Sequence, residues 1–162
     1  MSLIIGAQGY KKLQSGYETN VNDTLRTSYT VANSETDGIL PGDLLLTSSA
    51  PKVYTRAKAA LEGTHKIAGI ALATNVLLDP MFPQSANDNG PVFKKGTRGV
   101  AVLRGTVAVP LHGNAPVEGA AVYYDFTNRA FTTESSGTIA FAGARFTGRT
   151  EGNITEVYVQ YL

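Results

Sequence analysis

The chain has no cysteine, which excludes disulfides, thiolate zinc sites and cysteine nucleophiles together. Charge is scarce: 17% of residues are Asp, Glu, Lys or Arg, and the formal net charge is +1. A field this weak gives no reason to expect nucleic acid or an anionic membrane as partner. A surface so poor in charge suits a chain that is covered by other proteins. No stretch approaches the roughly 20 apolar residues of a membrane span. The start, "MSLIIGAQGYKK", has too short an apolar run for a signal peptide, and its lysines follow that run. The expectation is a soluble protein made in a cytoplasm. At 162 residues it fits one domain, or one domain plus an arm.

Glycine, threonine, valine and tyrosine are plentiful instead, a composition that leans to all-β. The clearest strand is "RGVAVLRGTVAVPL", Arg98 to Leu111. Strict alternation puts Val100, Val102, Arg104, Thr106 and Ala108 on one face, and Ala101, Leu103, Gly105, Val107 and Val109 on the other. Gly105 suggests a bulge or bend, and Pro110 an end or an edge. "NITEVYVQYL" alternates too, and the "EGN" turn before it makes a hairpin. Further strands are expected at Gly42 to Thr47, Val53 to Ala57, Lys66 to Ala73, Ala120 to Asp125 and Ala130 to Thr132. Short strands closely spaced by turns predict a sandwich, jelly roll or barrel.

Two stretches look alike. "GDLLLTSSA" from Gly42 is followed by "IAGIAL", and "GAAVYYDFT" from Gly119 is followed by "FAGARF". They are either two similar hairpins in a glycine-rich β-protein, or two related halves of a pseudo-symmetric domain flanking the central strand.

Residues 1–36 are polar, with scattered tyrosines and little alternation, and read as an N-terminal arm that orders against a partner. Residues 37–162 form the β-domain. Within it, residues 75–91, "NVLLDPMFPQSANDNGP", make a long loop with three prolines, a length usually functional or interfacial in a small domain. Contact surfaces are expected at Tyr10, Tyr17, Leu25 and Tyr29 in the arm, and at Leu78, Met81 and Phe82 in the loop. Large apolar and aromatic anchors bury much area at modest entropic cost.

Chemistry is hard to find. The two histidines, His65 in "EGTHK" and His112 in "PLHGN", sit in turn contexts without metal-ligand spacing. No G-x-S-x-G elbow is present. Asp43 and Asp125 occupy comparable places in the two units, and turn capping is the commoner role for such residues. No catalytic, cofactor-binding or metal residues are assigned. Lys94, Lys95, Arg98 and Arg104 precede and enter the central strand. They guard an exposed strand edge or meet an acidic partner.

From "LRGTVAVPLHGNAPVEGAAVYYD" through "AGARF" to the closing strand, the chain resembles tailed-bacteriophage capsid cement (decoration) proteins. "LPGDLLL" and "KIAGIAL" fit the same pattern, so the resemblance covers Gly38 to Leu162. It implies a jelly-roll-like β-domain with no catalytic or cofactor residues. Such a protein sits on the outer capsid surface of the virion and clamps neighbouring major capsid protein subunits, as a homo-oligomer (dimer or trimer). Lys94, Lys95 and Arg98 would then dock an acidic capsid surface. The alternatives are a tail or baseplate β-domain, or a small ligand-binding β-barrel with a pocket near His65 or His112.

Overall fold

The computed structural model describes residues 13, 15–59, 63, 65–73 and 92–160. Among them are nine strands: β1 (Glu18–Val31), β2 (Leu44–Thr47), β3 (Val53–Arg56), β4 (Ile67–Leu72), β5 (Arg98–Pro110), β6 (Ala121–Asp125), β7 (Ala130–Thr132), β8 (Thr138–Glu151) and β9 (Ile154–Val159). The protein is all-β, and β2 to β7 fall within two residues of their expected starts and ends.

The strand order is β1-β3-β2-β4-β5-β9-β8-β6-β7, and β1 also pairs with β5. That extra pairing closes β1, β3, β2, β4 and β5 into a five-stranded ring. A second ring runs β5, β9, β8, β6, β7 and returns through a parallel bridge between Leu111 and Phe131. The central strand therefore belongs to both rings. One core fills the first ring, with Tyr29, Val31, Leu45, Tyr54, Ala68, Ala71 and Ala101 from all five of its strands. The second core joins Leu44, Leu46, Ile70 and Val102 to Val107, Val109, Tyr124, Phe131, Phe141, Phe146, Val157 and Val159. The run "LLL" at Leu44–Leu46 is fully buried because its two faces meet different cores. Each such side chain contributes about 1.5–3 kcal/mol on burial.

Gly105 explains how β5 serves two rings. Before it, β5 pairs with β4 at Val100–Val102; from it onward, with β9. Its φ is +136°, a conformation that suits glycine. Strict alternation separates Val102 from Val107, yet both lie in the same core. The parity shift arises just before Gly105: Leu25 pairs with Arg104 and Arg26 with Val102, so Leu103 is an extra residue on β5. An even-numbered inward face before it becomes an odd-numbered one after it.

The two halves are related bond for bond. Asp43 N–H donates to Leu40 O at 3.1 Å, and Ala120 N–H donates to Val117 O at 3.2 Å. Each turn carries a glycine at positive φ, Gly42 and Gly119. Gly42 N–H donates to Ala71 O and Ala71 N–H to Asp43 O, as Gly119 N–H donates to Phe146 O and Phe146 N–H to Ala120 O. Lys52 and Arg129, at φ 58° and 49°, stand one residue before β3 and β7. The parallel β1–β3 pairing matches the parallel Leu111–Phe131 bridge. "IAGIAL" and "FAGARF" thus lie in equivalent third strands, and the reading as two related halves holds.

The segment 1–36 divides. From Glu18 to Val31 it is extended but laid into the sheet, against β5 and β3. It is ordered by the chain's own strands rather than by a partner. Tyr29 follows from this: it pairs opposite Gly99, its ring stacks on Tyr54 at 5.3 Å between centroids, and it is 2% exposed. Tyr29 is a core residue, not a contact surface. Its buried hydroxyl has no hydrogen-bond partner. Burial, with help from the Asp43 charge, pushes its pKa far above the usual 10. Burial does the same to Tyr124. Stability held by these neutral tyrosines is complete below about pH 10 and is lost as pH rises beyond it, because the unfolded chain ionises first. Tyr29→Phe should leave stability unchanged or raise it by up to about 1 kcal/mol, and soften the alkaline decline. A loss above about 1 kcal/mol in urea melts would show that the hydroxyl has a partner after all.

Candidate functional site

The carboxylates singled out in the sequence are structural. Asp43 is 2% exposed. Its Oδ2 accepts from Leu40 N–H at 2.7 Å and its Oδ1 from the Tyr124 hydroxyl at 3.1 Å. Arg129 donates to both oxygens, through Nε at 3.3 Å and through Nη2. The first half supplies the carboxylate and the second half the phenol and guanidinium. Asp125 caps its hairpin instead, accepting from Thr127 N–H at 2.9 Å and Asn128 N–H at 3.1 Å. Its partial burial opposes ionisation, but the bonds from Asn128 and Thr127 prevail and hold its pKa below the usual range. The two residues are not equivalent, since Asp43 precedes β2 and Asp125 ends β6. His112 is exposed and His65 half-buried.

The surface is more informative. Along the β1–β5 ladder the structure gathers five of the residues proposed as contacts. Lys94 and Lys95 lie on a tight turn in which Thr97 N–H donates to Lys94 O at 3.0 Å. That turn is stitched to the end of β1 by Gly96 N–H to Val31 O and Val31 N–H to Thr97 O, both at 2.9 Å. Arg98 starts β5 opposite Thr30. Lys94, Lys95 and Arg98 are exposed, and no acidic side chain pairs with them among the described residues. Leu25 pairs opposite Arg104, and Tyr17 O accepts from Ala108 N–H. Tyr17 and Leu25 are 43% and 41% exposed, two of three exposed large hydrophobics among the described residues. From Arg98 to Ala108 this strip is about 33 Å long at strand rise. Tyr10, Leu78, Met81 and Phe82 lie outside the described residues.

One feature was not legible beforehand. β1 pairs with β5 at Asn20↔Thr106 and next at Leu25↔Arg104, five residues against two. Arg26 Nε nevertheless donates to Glu18 Oε1 at 2.6 Å. Eight residues of regular strand would separate these Cα atoms by about 26 Å, too far for the two side chains to meet. The chain therefore bows out of the ladder between them, and the two-bonded ion pair closes the base of the excursion. Tyr17 and Leu25 flank that base. An acid and a base eight residues apart give no helix or strand signal, so only the folded chain reveals the pairing.

With this geometry in place, the comparisons are informative. The family model described as structural cement protein (E217 gp24/Pam3 gp6) matches residues 5–160. The chain belongs to this phage structural cement family. A chain in the solved structure titled "The capsid of Myoviridae Phage XM1" has the same fold, with a TM-score of 0.69 at 19% identity, over 93% of this chain and 92% of that one. Among curated proteins no match is found. The protein is a structural component of a phage virion that binds the capsid, and the tail-module and ligand-barrel alternatives are not favoured.

Proposed function

We propose that the protein sits on the outer face of the capsid and cements neighbouring major capsid subunits, with the β1–β5 strip as its docking face. The observation that supports this reading is the alignment of a cationic turn, a stapled excursion and two exposed apolar side chains on one ladder. Lys94, Lys95 and Arg98 carry positive charge that steers the strip to an acidic capsid surface. Tyr17 and Leu25 then bury against it, held in place by the Glu18–Arg26 pair. Tyr10 in the segment 1–12 and Leu78, Met81 and Phe82 in the loop 75–91 would add contacts. Binding energy present only on the assembled shell stabilises the shell by mass action, and a dimer or trimer would multiply it.

The test is titration of purified protein onto capsids that lack it. Saturation at a fixed ratio to the major subunit is expected, together with raised thermal resistance of the shell. Tyr17→Ala with Leu25→Ala should weaken binding about 10-fold to 100-fold. Reversing Lys94, Lys95 and Arg98 to Glu should slow association and flatten its salt dependence. Binding unaltered by either set would remove this strip as the docking face.

A further inference from the structure

The outer edge of β1 is open where the equivalent edge of β5 is covered. Thr30 N–H donates away from β5, to Lys52 O at 2.8 Å, and the register with β5 is unbroken from Arg26 to Thr30. Arg26 and Ser28 therefore turn their own N–H and C=O outward on the same edge. The pairing with β3 reaches back no further than Thr30. Both residues are exposed, and the Ser28 carbonyl receives a 3.4 Å contact from its neighbour Thr27 Oγ1 but no backbone partner among the described residues. The internal repeat shows what covers such an edge. Val31 N–H donates to Thr97 O and Ala32 N–H to Tyr54 O, as Leu111 N–H donates to Asn153 O and His112 N–H to Phe131 O. Val31 and Leu111 are thus equivalent, and Ser28 stands where Ala108 does. Ala108 is taken: its N–H donates to Tyr17 O at 3.0 Å, and its C=O accepts from Gly16 N–H at 2.8 Å. The covering stretch runs antiparallel, with Glu18 opposite Val107.

We infer that the β1 edge from Leu25 to Ser28 docks an extended acidic segment of a major capsid subunit as an added antiparallel strand. The repeat supplies the mode of binding, and charge selects the occupant. Lys52, the residue before β3, stands at the mouth of the open stretch with its Nζ on Thr27 Oγ1. Arg98 lies one strand further in, opposite Thr30, and Lys94 and Lys95 follow on the adjoining turn. All four are exposed, and no acidic side chain pairs with them among the described residues. A second copy paired edge to edge would set these cations against their own kind, which costs stability. A strand of opposite charge gains from them instead. The inference rests on the reading of the β1–β5 strip as the docking face, and adds a backbone edge to that strip's side chains.

Ser28→Pro removes the outward N–H, and proline is tolerated on a strand edge whose N–H faces solvent. Ser28→Ala keeps that N–H and is the control. On capsids that lack the protein, Ser28→Pro should bind at least about tenfold more weakly than the unaltered chain, and Ser28→Ala equally well. Lys52→Glu should weaken binding too. Should Ser28→Pro misfold, hydrogen exchange of the unaltered protein decides: the Arg26 and Ser28 amides should exchange at least about tenfold more slowly on the capsid than in the free protein. Full binding by a folded Ser28→Pro, or amides that stay equally fast on the capsid, would overturn the inference and leave the side chains of the strip as the docking face. Loss of binding in Ser28→Pro while Tyr17→Ala with Leu25→Ala is silent would do the reverse. Self-association of the free protein that Ser28→Pro abolishes, with capsid binding intact, would put a second copy on the edge and overturn the acidic occupant.

Discussion

Asp43→Ala should cost about 3–5 kcal/mol of folding stability, the range for removing one partner of a buried ion pair. The substitution leaves the Arg129 guanidinium, with 24% of its side chain exposed, without its carboxylate. It also strips acceptors from the Tyr124 hydroxyl and from Leu40 N–H. At roughly 2–4 °C per kcal/mol for a chain of this size, the melting temperature should fall by on the order of 10 °C. The loss is large because this one carboxylate is shared by the two halves. Its acceptor bonds fix a turn in the first half, while its charge anchors Arg129 and Tyr124 of the second. Asp43→Ala combined with Arg129→Ala should cost clearly less than the sum of the single changes, since the second removes the charge the first leaves stranded. A loss under about 1 kcal/mol for Asp43→Ala, or strict additivity in the pair, would mean that the network does not join the halves energetically.

How much of this was readable beforehand differs from strand to strand. β9 was legible because one face is buried and the other is not, which leaves alternation in the sequence. β5 was legible through its long run of valines and alanines, although Ala101 and Val102 face different cores. β1 was not. In "ETNVNDTLRTSYTV" the buried hydrophobic side chains among the described residues come near its end, at Tyr29 and Val31. Leu25 to Ser28 are held by backbone pairing to β5, which leaves no side-chain signature. The repeat was legible through its glycine turns, because the same positive-φ turn launches β2 and β6. Its closure into rings was not, since β1–β5 and Leu111–Phe131 are pairings between distant residues. At the surface, charge was the better guide. Lys94, Lys95 and Arg98 were recognised as exposed and are exposed. Tyr17 and Tyr29 carry the same side chain, and only the Gly99 opposite Tyr29 and the stacked Tyr54 decide which is core. The Glu18–Arg26 closure depends on a bow in β1 that no local pattern encodes.

Gly105→Val tests the other link between the halves. At φ +136° a β-branched residue is strained, and a Cβ would sit 3.1 Å from Thr24 Oγ1. Together these should cost about 2–4 kcal/mol. Gly137→Ala is the control: its φ is +69°, but nothing lies within 4 Å of the added carbon, so only the backbone strain of about 1–2 kcal/mol remains. The location of the damage matters more than its size. Gly105 is where β5 passes from the first ring to the second, two residues after the irregularity at Leu103 that changes the parity of the inward face. A strained backbone there would disturb the seating of Val107 and Val109 in the core they share with Val102. Hydrogen exchange should therefore quicken together in β2 and β4 of the first ring and in β6 and β8 of the second, with a single unfolding transition. Faster exchange confined to one ring would show that the rings fold as separable units. The shared strand would then be a tether, and the Asp43 network alone would have to couple the two halves.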